Sequence, residues 1–218
     1  MHIFISGATG RNGRLALGNA LSRGHTVTVL ARDPSSLPPH PNLTIIKDVQ
    51  TALSAPTTPS AILTTINQRR TTENPFSPLS PDSPPDLLAS TAQVLLLAIA
   101  STPFGRPPKV IVNSLHGATD SFASLGWLFR CVLSRSTMNV TLRDHNNMDK
   151  LIRDSGVPFV LARPARLTNG PAKKVKVLPD NGQGCGWNAV ISRASVAEWM
   201  VEAAETNDWD GRSPVLTN

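Results

Sequence analysis

Tyrosine is absent from this 218-residue sequence, cysteine occurs only twice, and no long apolar run is present. The absence of tyrosine excludes any mechanism that uses a phenol as the proton donor. The two cysteines, Cys131 and Cys185, are far apart and not in metal-ligand spacing. We therefore expect no metal site and a reducing compartment, the cytoplasm. The apolar run at residues 95–100 is too short to cross a bilayer.

The start of the chain also lacks the features of a secretion signal. Residues 1–6 form a strand-like run without a basic region or a small-residue cleavage site, so we expect no signal peptide. With 40% hydrophobic and 17% charged residues, the composition is typical of a soluble globular protein. A chain of this length can bury a large core without disulfides. We predict one domain over residues 1–218, as a monomer or a homodimer.

Positive charge is in excess, with 21 Lys and Arg residues against 15 Asp and Glu residues and a formal net charge of +6. This balance favours anionic partners. Binding to nucleic acid would require a clustered basic patch and a recognition motif. The cations here are scattered, so we expect no nucleic-acid partner. They form either a solvated basic surface or part of a site for an anionic cofactor.

Short, continuous runs of β-branched and aliphatic residues recur along the chain. They predict strands at residues 1–6, 27–30, 43–46, 61–63, 110–112 and 159–161. Helix-like stretches separate them at residues 11–23, 86–100, 139–155 and 195–206, and Gly24 and Gly156 are helix-ending signals. Continuous rather than alternating strands are typical of a parallel sheet covered on both faces. The pattern predicts an α/β fold, a Rossmann-type doubly wound parallel sheet with helices on both faces.

Residues 64–85 differ in composition from the rest of the chain. They are rich in Ser, Thr and Pro and contain Arg69 and Arg70. Long loops in compact domains are often either functional lids or disordered segments. We interpret this stretch as a flexible insert, with a lid as the alternative.

A glycine-rich turn at residues 7–13 follows the first predicted strand and opens the first predicted helix. Glycine allows the tight turn and the approach of the backbone to a pyrophosphate, and a further glycine allows the helix to pack closely on the strand. The helix N-terminus supplies free N–H groups and a dipole that favour an anion. The turn predicts a dinucleotide site formed by Gly7, Thr9, Gly10, Arg11, Asn12 and Gly13.

The end of the second strand indicates which dinucleotide is preferred. A site for NAD usually carries an acidic residue here for the ribose 2′-hydroxyl, whereas an arginine can bind the 2′-phosphate of NADP. Arg32 lies in this region and is followed by Asp33, which we expect to point away or to cap the next turn. Arg11 can also reach the phosphate. The sequence therefore predicts NADP(H) as the cofactor, with Arg32 among its ligands.

These motifs resemble those of the atypical short-chain dehydrogenases, in particular the NAD(P)H-binding group of NmrA-like proteins and biliverdin reductase B-like flavin reductases. The resemblance covers nearly the whole chain. It is carried by ISGATG at residues 5–10, ARDP at 31–34, VNS at 112–114, the helix at 145–156, LARPARLT at 161–168 and ISRASVA at 191–197. The family implies a Rossmann fold, NADP(H), and reductase activity on quinones, flavins or related planar molecules. The resemblance adds Ser114 and Pro164 to the cofactor-binding residues.

The sequence departs from the family where standard members carry a tyrosine four residues before a lysine. If Asp149 takes the place of the family's helix glutamate, His145 falls at the lysine position and Thr141 at the tyrosine position. Tyrosine-based hydride chemistry is therefore excluded. Reduction itself is not, because several atypical members lack the tyrosine and because reduced flavins and quinones can take a proton from water.

Three residues are candidates for catalysis. Ser114 follows the fifth strand, at the carboxyl edge of the sheet where ligands bind, and can hydrogen-bond a substrate carbonyl. His116 and His145 are candidate proton donors, because the pKa of histidine lies near neutrality. The alternatives are a loop-capping role for the serine and structural roles for the two histidines.

Four further residues have two interpretations each. Arg163 and Arg166 either bind a phosphate or an acidic substrate, or have ordinary loop roles. Trp127 and Phe129 lie on a predicted helix after the fifth strand. They either pack in the core or form a wall of an apolar substrate pocket.

Three functions fit these features. The first is an NADPH-dependent reductase of a small planar or carbonyl substrate, such as a quinone, a flavin, an enone or a natural-product intermediate. The second is a non-redox isomerase or cyclisation enzyme of a biosynthetic pathway, which the missing Tyr–Lys pair favours. The third is an NmrA-like regulator that senses the dinucleotide. We rank them in this order and expect a small-molecule substrate and no membrane partner.

Overall fold

The computed structural model describes residues 1–54, 58–72, 74 and 77–218. Its strands are His2–Ser6 (β1), Thr26–Leu30 (β2), Leu43–Ile46 (β3), Ala61–Thr64 (β4), Lys109–Asn113 (β5), Phe159–Pro164 (β6), Arg166–Thr168 (β7), Lys176–Leu178 (β8), Val190–Ser192 (β9) and Val215–Thr217 (β10). Its helices are Arg11–Ser22 (α1), Val49–Ser54 (α2), Leu87–Ser101 (α3), Trp127–Arg135 (α4), Met138–Asp154 (α5) and Arg193–Glu205 (α6).

The main sheet has the strand order β3-β2-β1-β4-β5-β6-β10-β8. The first seven strands in this order run parallel to one another, and the last, β8, is antiparallel to β10. The chain moves outward from β1 to β3 and then returns to place β4 on the other side of β1. Ligands of such sheets bind at the carboxyl edge, where the strand order reverses. The sheet confirms the predicted doubly wound α/β fold.

Helices cover both faces of this sheet. Ile3 and Ile5 of β1 belong to the core cluster that contains α1 and α6. Phe4, between them, belongs to the opposite cluster with α2, α3 and α5. Because both faces of the strands are buried, apolar residues follow one another without alternation, as the sequence pattern indicated. No helix in the described part of the chain is long and apolar enough to cross a membrane.

The six strands and four helices predicted from sequence periodicity are confirmed, with ends that agree to within three residues. The helix-ending glycines are confirmed as well. Gly24 follows α1 with a φ of +79°, and Gly156 follows α5 with a φ of +73°. This left-handed conformation favours glycine and ends a helix.

The short elements late in the chain were not predicted. Strands β7, β8, β9 and β10 have three residues each. Strands β7 and β9 pair with each other in a small second sheet, apart from the main one. Three residues are too few to show a period of two, so their sequences carry no strand signal.

Part of the Ser/Thr/Pro-rich stretch at 64–85 lies outside the described residues. The described part contacts helix α5. Arg70 donates a hydrogen bond to the Thr141 hydroxyl over 3.0 Å, and Gln68 donates from Nε2 to Asp144 Oδ2 over 2.8 Å. Whether the stretch is a flexible insert or a lid stays a prediction.

Candidate functional site

The turn after β1 brings the backbone closer to its neighbours than a side chain would permit. Gly7 has a φ of +86°, and a Cβ atom at this position would lie 2.8 Å from the backbone nitrogen of Ile66. The N–H of Gly10 donates to the carbonyl oxygen of Gly7 over 3.0 Å, which closes the turn. Thr9 and Gly10 at its tip are exposed. The tip is therefore a surface of backbone that a ligand can approach.

Gly13 allows helix α1 to start directly against this turn. A Cβ atom at Gly13 would overlap the carbonyl oxygen of Gly7 and lie 2.8 Å from the Cα atom of Ala8. The helix begins at Arg11, and among the described residues no side chain caps its N-terminus and no acidic residue lies in its first turn. The first turn of a helix presents N–H groups that have no carbonyl partner within the helix, and here the half-buried Asn12 belongs to that turn, where the helix dipole favours an anion.

At the end of β2, the carboxylate of Asp33 is bonded within its own turn. Its Oδ1 accepts from the N–H of Ser35 over 3.0 Å and from the Ser35 hydroxyl over 2.8 Å. These bonds, with a further contribution from the charge of Lys47, hold the pKa of Asp33 below its usual range. The prediction that Asp33 caps the next turn is confirmed. The exposed Arg32 and Lys47 make this edge cationic.

Sequence reasoning missed Arg14, which joins the two parts of this site. Its Nε donates to the carbonyl oxygen of Thr9 over 3.0 Å, and its Nη2 donates to the carbonyl oxygen of Ser36 over 2.9 Å. The side chain thus links the glycine turn to the turn after β2. Its partners are backbone carbonyls, one of them 22 residues away, so no residue pattern could have signalled the contact.

Two polar side chains at the carboxyl end of β5 are buried without partners. Asn113 Oδ1 and Ser114 Oγ have no hydrogen-bond partner among the described residues. Ser114 is fixed by its backbone, because its N–H donates to the carbonyl oxygen of Ala162 in β6 over 2.7 Å. An unpaired buried polar group costs about 1–3 kcal/mol. Such groups persist where a ligand or an ordered water completes them.

His145 also carries buried polar atoms without partners among the described residues. It is fully buried on α5, and both ring nitrogens are among these atoms. The residues on either side of His145 in the sequence bond to two other elements. Asp144 accepts an N–H at the start of α3 over 2.9 Å, and Asn146 accepts the N–H of Thr119, in the loop after β5, over 2.9 Å. Burial lowers the pKa of His145 to about 4, against an opposing effect of Asp149. The imidazole is therefore uncharged at neutral pH.

His116 lies at the same edge and is only half-buried. The backbone N–H of His116 donates to the carbonyl oxygen of Pro164 over 3.3 Å, so these two predicted site residues are neighbours. Its Nε2 lies 2.8 Å from Ser124 Oγ, and its Nδ1 lies 3.8 Å from Cys185 Sγ. Burial, together with the positive charge of Arg163, lowers the pKa of His116.

Arg163, beside Pro164, is fully buried in an internal ion-pair network. Its Nη2 donates to Asp149 over 2.8 Å, and its Nη1 donates to Asp120 over 2.5 Å. Asp149 also accepts from Arg153 Nε over 2.5 Å. The network joins β6 to α5 and to the loop after β5. The guanidinium of Arg163 is thus engaged by carboxylates within the protein, whereas Arg166 is exposed.

The parallel strands gather most predicted site residues at one edge of the sheet. The glycine turn follows β1, Arg32 follows β2, Ser114 and His116 follow β5, and Pro164 ends β6. His145 lies on α5 between Asp144, which is bonded to the start of α3, and Asn146, which is bonded to the loop after β5. Residues that are far apart in sequence are thus brought to the carboxyl edge, where this fold binds its ligands.

The prediction that Trp127 and Phe129 pack in the core was wrong. Trp127 is 72% exposed and Phe129 is 44% exposed. In helix α4 only Leu133 is buried. Leu128 is also exposed, at 59%, so the three consecutive apolar residues at the start of α4 all face solvent.

The sequence profile of a family described as NAD(P)H-binding matches residues 7–207. The match begins at Gly7 of the glycine turn and includes every predicted site residue. It therefore covers both the dinucleotide turn and the polar residues after β5.

Solved structures with the same fold span the whole chain. The oxidoreductase ylbE of Lactococcus lactis is 17% identical with a TM-score of 0.75, and the match covers 100% of this chain and 91% of that one. A short-chain dehydrogenase/reductase of Veillonella parvula, in complex with NADP, is 15% identical with a TM-score of 0.75 and coverages of 100% and 94%. ChuY, an anaerobillin reductase of Escherichia coli O157:H7, is 15% identical with a TM-score of 0.71 and coverages of 100% and 97%. At these identities the likeness shows the fold alone. Because the family profile spans most of the chain, the chain belongs to the NAD(P)H-binding family, as its motifs indicated.

Proposed function

We propose that this protein is an NADPH-dependent reductase of a small planar or carbonyl acceptor, such as a quinone, a flavin or an enone. One observation carries the proposal. Asn113, Ser114 and His145 are buried beyond the dinucleotide turn with polar atoms that have no partner among the described residues. A protein that only held the phosphates would not need these groups, whereas a reductase needs hydrogen bonds to the nicotinamide and to the acceptor.

The residues present fit a dinucleotide. The backbone cradle at Gly7 and Gly13 has no room for a Cβ atom, and the uncapped N-terminus of α1 lies beside it. Thr65, directly after β4, braces the cradle because its hydroxyl donates to the carbonyl oxygen of Gly7 over 3.1 Å. When bound, the reduced dinucleotide supplies the hydride.

The proposed preference for NADPH over NADH rests on the charged side chains near the carboxyl end of β2. Arg32 and Lys47 supply positive charge there, and the carboxylate of Asp33 is engaged by Ser35 rather than held for a ribose hydroxyl. Charge-assisted hydrogen bonds to a 2′-phosphate contribute about 1.5–3 kcal/mol each. One such bond favours NADPH by about tenfold or more.

Each polar residue then has a distinct task. Ser114 donates a hydrogen bond to the acceptor carbonyl, and its backbone bond to β6 holds it in place. Asn113 binds an amide or a hydroxyl group of the cofactor. His145 is uncharged at neutral pH, so it acts as a hydrogen-bonding group rather than as the proton donor. Reduced quinones and flavins take their proton from water.

The test is oxidation of NADPH in the presence of a panel of quinones, flavins and enones, followed at the nicotinamide absorbance. We expect turnover with at least one acceptor class, and a fall in kcat/KM of about a hundredfold in Ser114→Ala. Because Ser114 Oγ has no partner to lose, the free energy of unfolding of this variant should not decrease.

Ser121→Ala is the matched control. Its buried hydroxyl accepts from the N–H of Gly117 over 2.9 Å and donates to the carbonyl oxygen of Ala118 over 2.8 Å. We expect this variant to lose stability by about 1–2 kcal/mol and to keep its kcat/KM when folded. Binding of NADPH without turnover on any acceptor would overturn the reductase proposal in favour of a non-redox enzyme or a sensor.

A further inference from the structure

One thiol in the described structure contacts an imidazole. Cys185 Sγ lies 3.8 Å from His116 Nδ1, although the two residues are 69 positions apart in sequence. Cys185 stands in the loop between β8 and β9, and both side chains are half-buried. Neither the proposed hydride transfer nor the dinucleotide turn makes use of this thiol.

The hydrogen bonds around His116 fix which ring nitrogen carries the proton. The hydroxyl of Ser124 donates to the carbonyl oxygen of Ser121 over 2.7 Å, so its single proton is already committed. His116 Nε2, which lies 2.8 Å from Ser124 Oγ, must therefore be the donor in that pair. Nδ1 is then unprotonated and accepts the thiol proton of Cys185.

The loop that carries Cys185 is packed tightly on this pair. Gly182 has a φ of +71°, and a Cβ atom there would overlap Ser124 Oγ and lie 3.2 Å from His116 Nε2. The N–H of Cys185 donates to the carbonyl oxygen of Gly182 over 3.0 Å. The backbone of the loop therefore covers the His116–Ser124 hydrogen bond and holds the thiol against Nδ1.

The pair also lies close to the proposed substrate position. His116 is two residues beyond Ser114, and its N–H is bonded to the carbonyl oxygen of Pro164. A planar electrophile that reaches the carboxyl edge of β5 and β6 therefore comes near the thiol of Cys185.

We propose that Cys185 and His116 form a reactive thiol–imidazole pair that takes soft electrophiles, namely quinones and α,β-unsaturated carbonyl compounds, by conjugate addition. The sulfur forms a bond to the β-carbon, the C=C π bond breaks, and its electron pair moves to the carbonyl oxygen. The thiol proton passes to Nδ1 and from there to the α-carbon, which restores the neutral imidazole. The product is a thioether, and no oxidant, reductant or bound dinucleotide is required.

Burial keeps both groups neutral before the reaction. Burial raises the pKa of the Cys185 thiol, against an opposing effect of Lys176 on β8. Burial lowers the pKa of His116, and so does Arg163, whose own partners are the carboxylates of Asp149 and Asp120. Since little thiolate exists at neutral pH, the thiol reacts when Nδ1 removes its proton during the attack.

Cys131 provides an internal control in the same molecule. It is also half-buried and is not in a disulfide, and its Sγ lies 4.0 Å from Nη1 of Arg135. The experiment is alkylation of the full chain by N-ethylmaleimide, with the rate at each cysteine read by peptide mass spectrometry. At Cys131, which lies beside a guanidinium rather than an imidazole, the rate should rise steeply with pH.

At Cys185 the rate should be level between about pH 6.5 and 8, and should fall only in more acidic solution where His116 is protonated. In His116→Gln the rate at Cys185 should fall at least about tenfold at pH 7 and should take the pH dependence of Cys131. An unchanged rate at Cys131 reports that this variant is folded.

Two results would overturn the proposal. One is a Cys185 rate in the unaltered protein that rises with pH as steeply as that of Cys131. The other is an unchanged Cys185 rate in His116→Gln. If His116→Gln does not fold, the pH dependence measured on the unaltered protein decides the question alone.

Discussion

Protonation of His145 should destabilise the folded protein in mild acid. Its ring is fully buried, and burial lowers its pKa from 6.5 to about 4. In the unfolded chain His145 titrates at its ordinary value. Between these two values the unfolded state therefore binds a proton that the folded state does not. Stability consequently falls as the pH falls through this window, and this group has no effect on stability well above it.

The two pKa values set the size of the effect. Linkage gives a loss of about 2 kcal/mol at pH 5 and about 3 kcal/mol at pH 4 from His145 alone. Other groups whose pKa is lowered in the folded protein, including His116 and Asp33, also lose stability in acid. The informative quantity is therefore the difference between the unaltered protein and His145→Gln, which cannot titrate at this position.

The assay is urea unfolding at pH 7.5 and pH 5 at constant ionic strength. We expect the unaltered protein to lose about 2 kcal/mol more than His145→Gln between these two conditions. The exposed His40 supplies the control, because His40→Gln should lose as much as the unaltered protein. Equal losses in the unaltered protein and in His145→Gln would refute the reasoning, since they would show that the buried imidazole takes up its proton without cost.

Three further predictions concern the cofactor cradle and the core. Gly13→Ala should abolish NADPH binding in equilibrium titrations, because its Cβ would overlap the turn. Gly18→Ala, in the same helix, should bind NADPH normally, because a Cβ at that position would meet no neighbouring atom within 4 Å. Equal binding by both variants would contradict the cradle. Arg32→Ala should weaken NADPH binding about tenfold in calorimetry and leave NADH binding unchanged, and equal losses for both dinucleotides would argue against a 2′-phosphate contact. Lys109→Met should lower the free energy of unfolding, measured in urea, by about 3 kcal/mol. The reason is that Lys109 Nζ pairs with Asp210 over 2.6 Å and donates to the carbonyl oxygen of Ala203, near the end of α6, over 3.3 Å. A loss below about 1 kcal/mol would show that Asp210 is well solvated when Lys109 is replaced.

Much of the fold could be predicted because a strand that is buried on both faces has consecutive apolar residues in its sequence. The first strand is apolar at Ile3, Phe4 and Ile5, and these side chains enter two different core clusters. A helix-covered parallel sheet is the simplest arrangement that buries all three. The glycine turn was predictable for a similar reason, since Gly7 and Gly13 stand where a side chain would collide with backbone.

The contacts that no local pattern encodes could not be predicted. Arg163 looked like a loop cation, but it is fully buried because Asp149 and Asp120 come from other elements to neutralise it. Cys185 had no informative spacing, since its partner His116 lies on another part of the chain. Trp127 was misplaced because an apolar residue type does not show which way a short helix faces.

We propose that the turn at residues 7–13 holds a dinucleotide and that Arg32, after β2, selects NADP(H). Titration of the purified protein with NADPH and, separately, with NADH, followed by nicotinamide fluorescence, tests both parts directly. We predict saturable binding of NADPH that is about tenfold or more tighter than that of NADH and that NADP⁺ competes away. Tighter binding of NADH would contradict the role of Arg32, and no saturable binding of either dinucleotide would contradict the site itself.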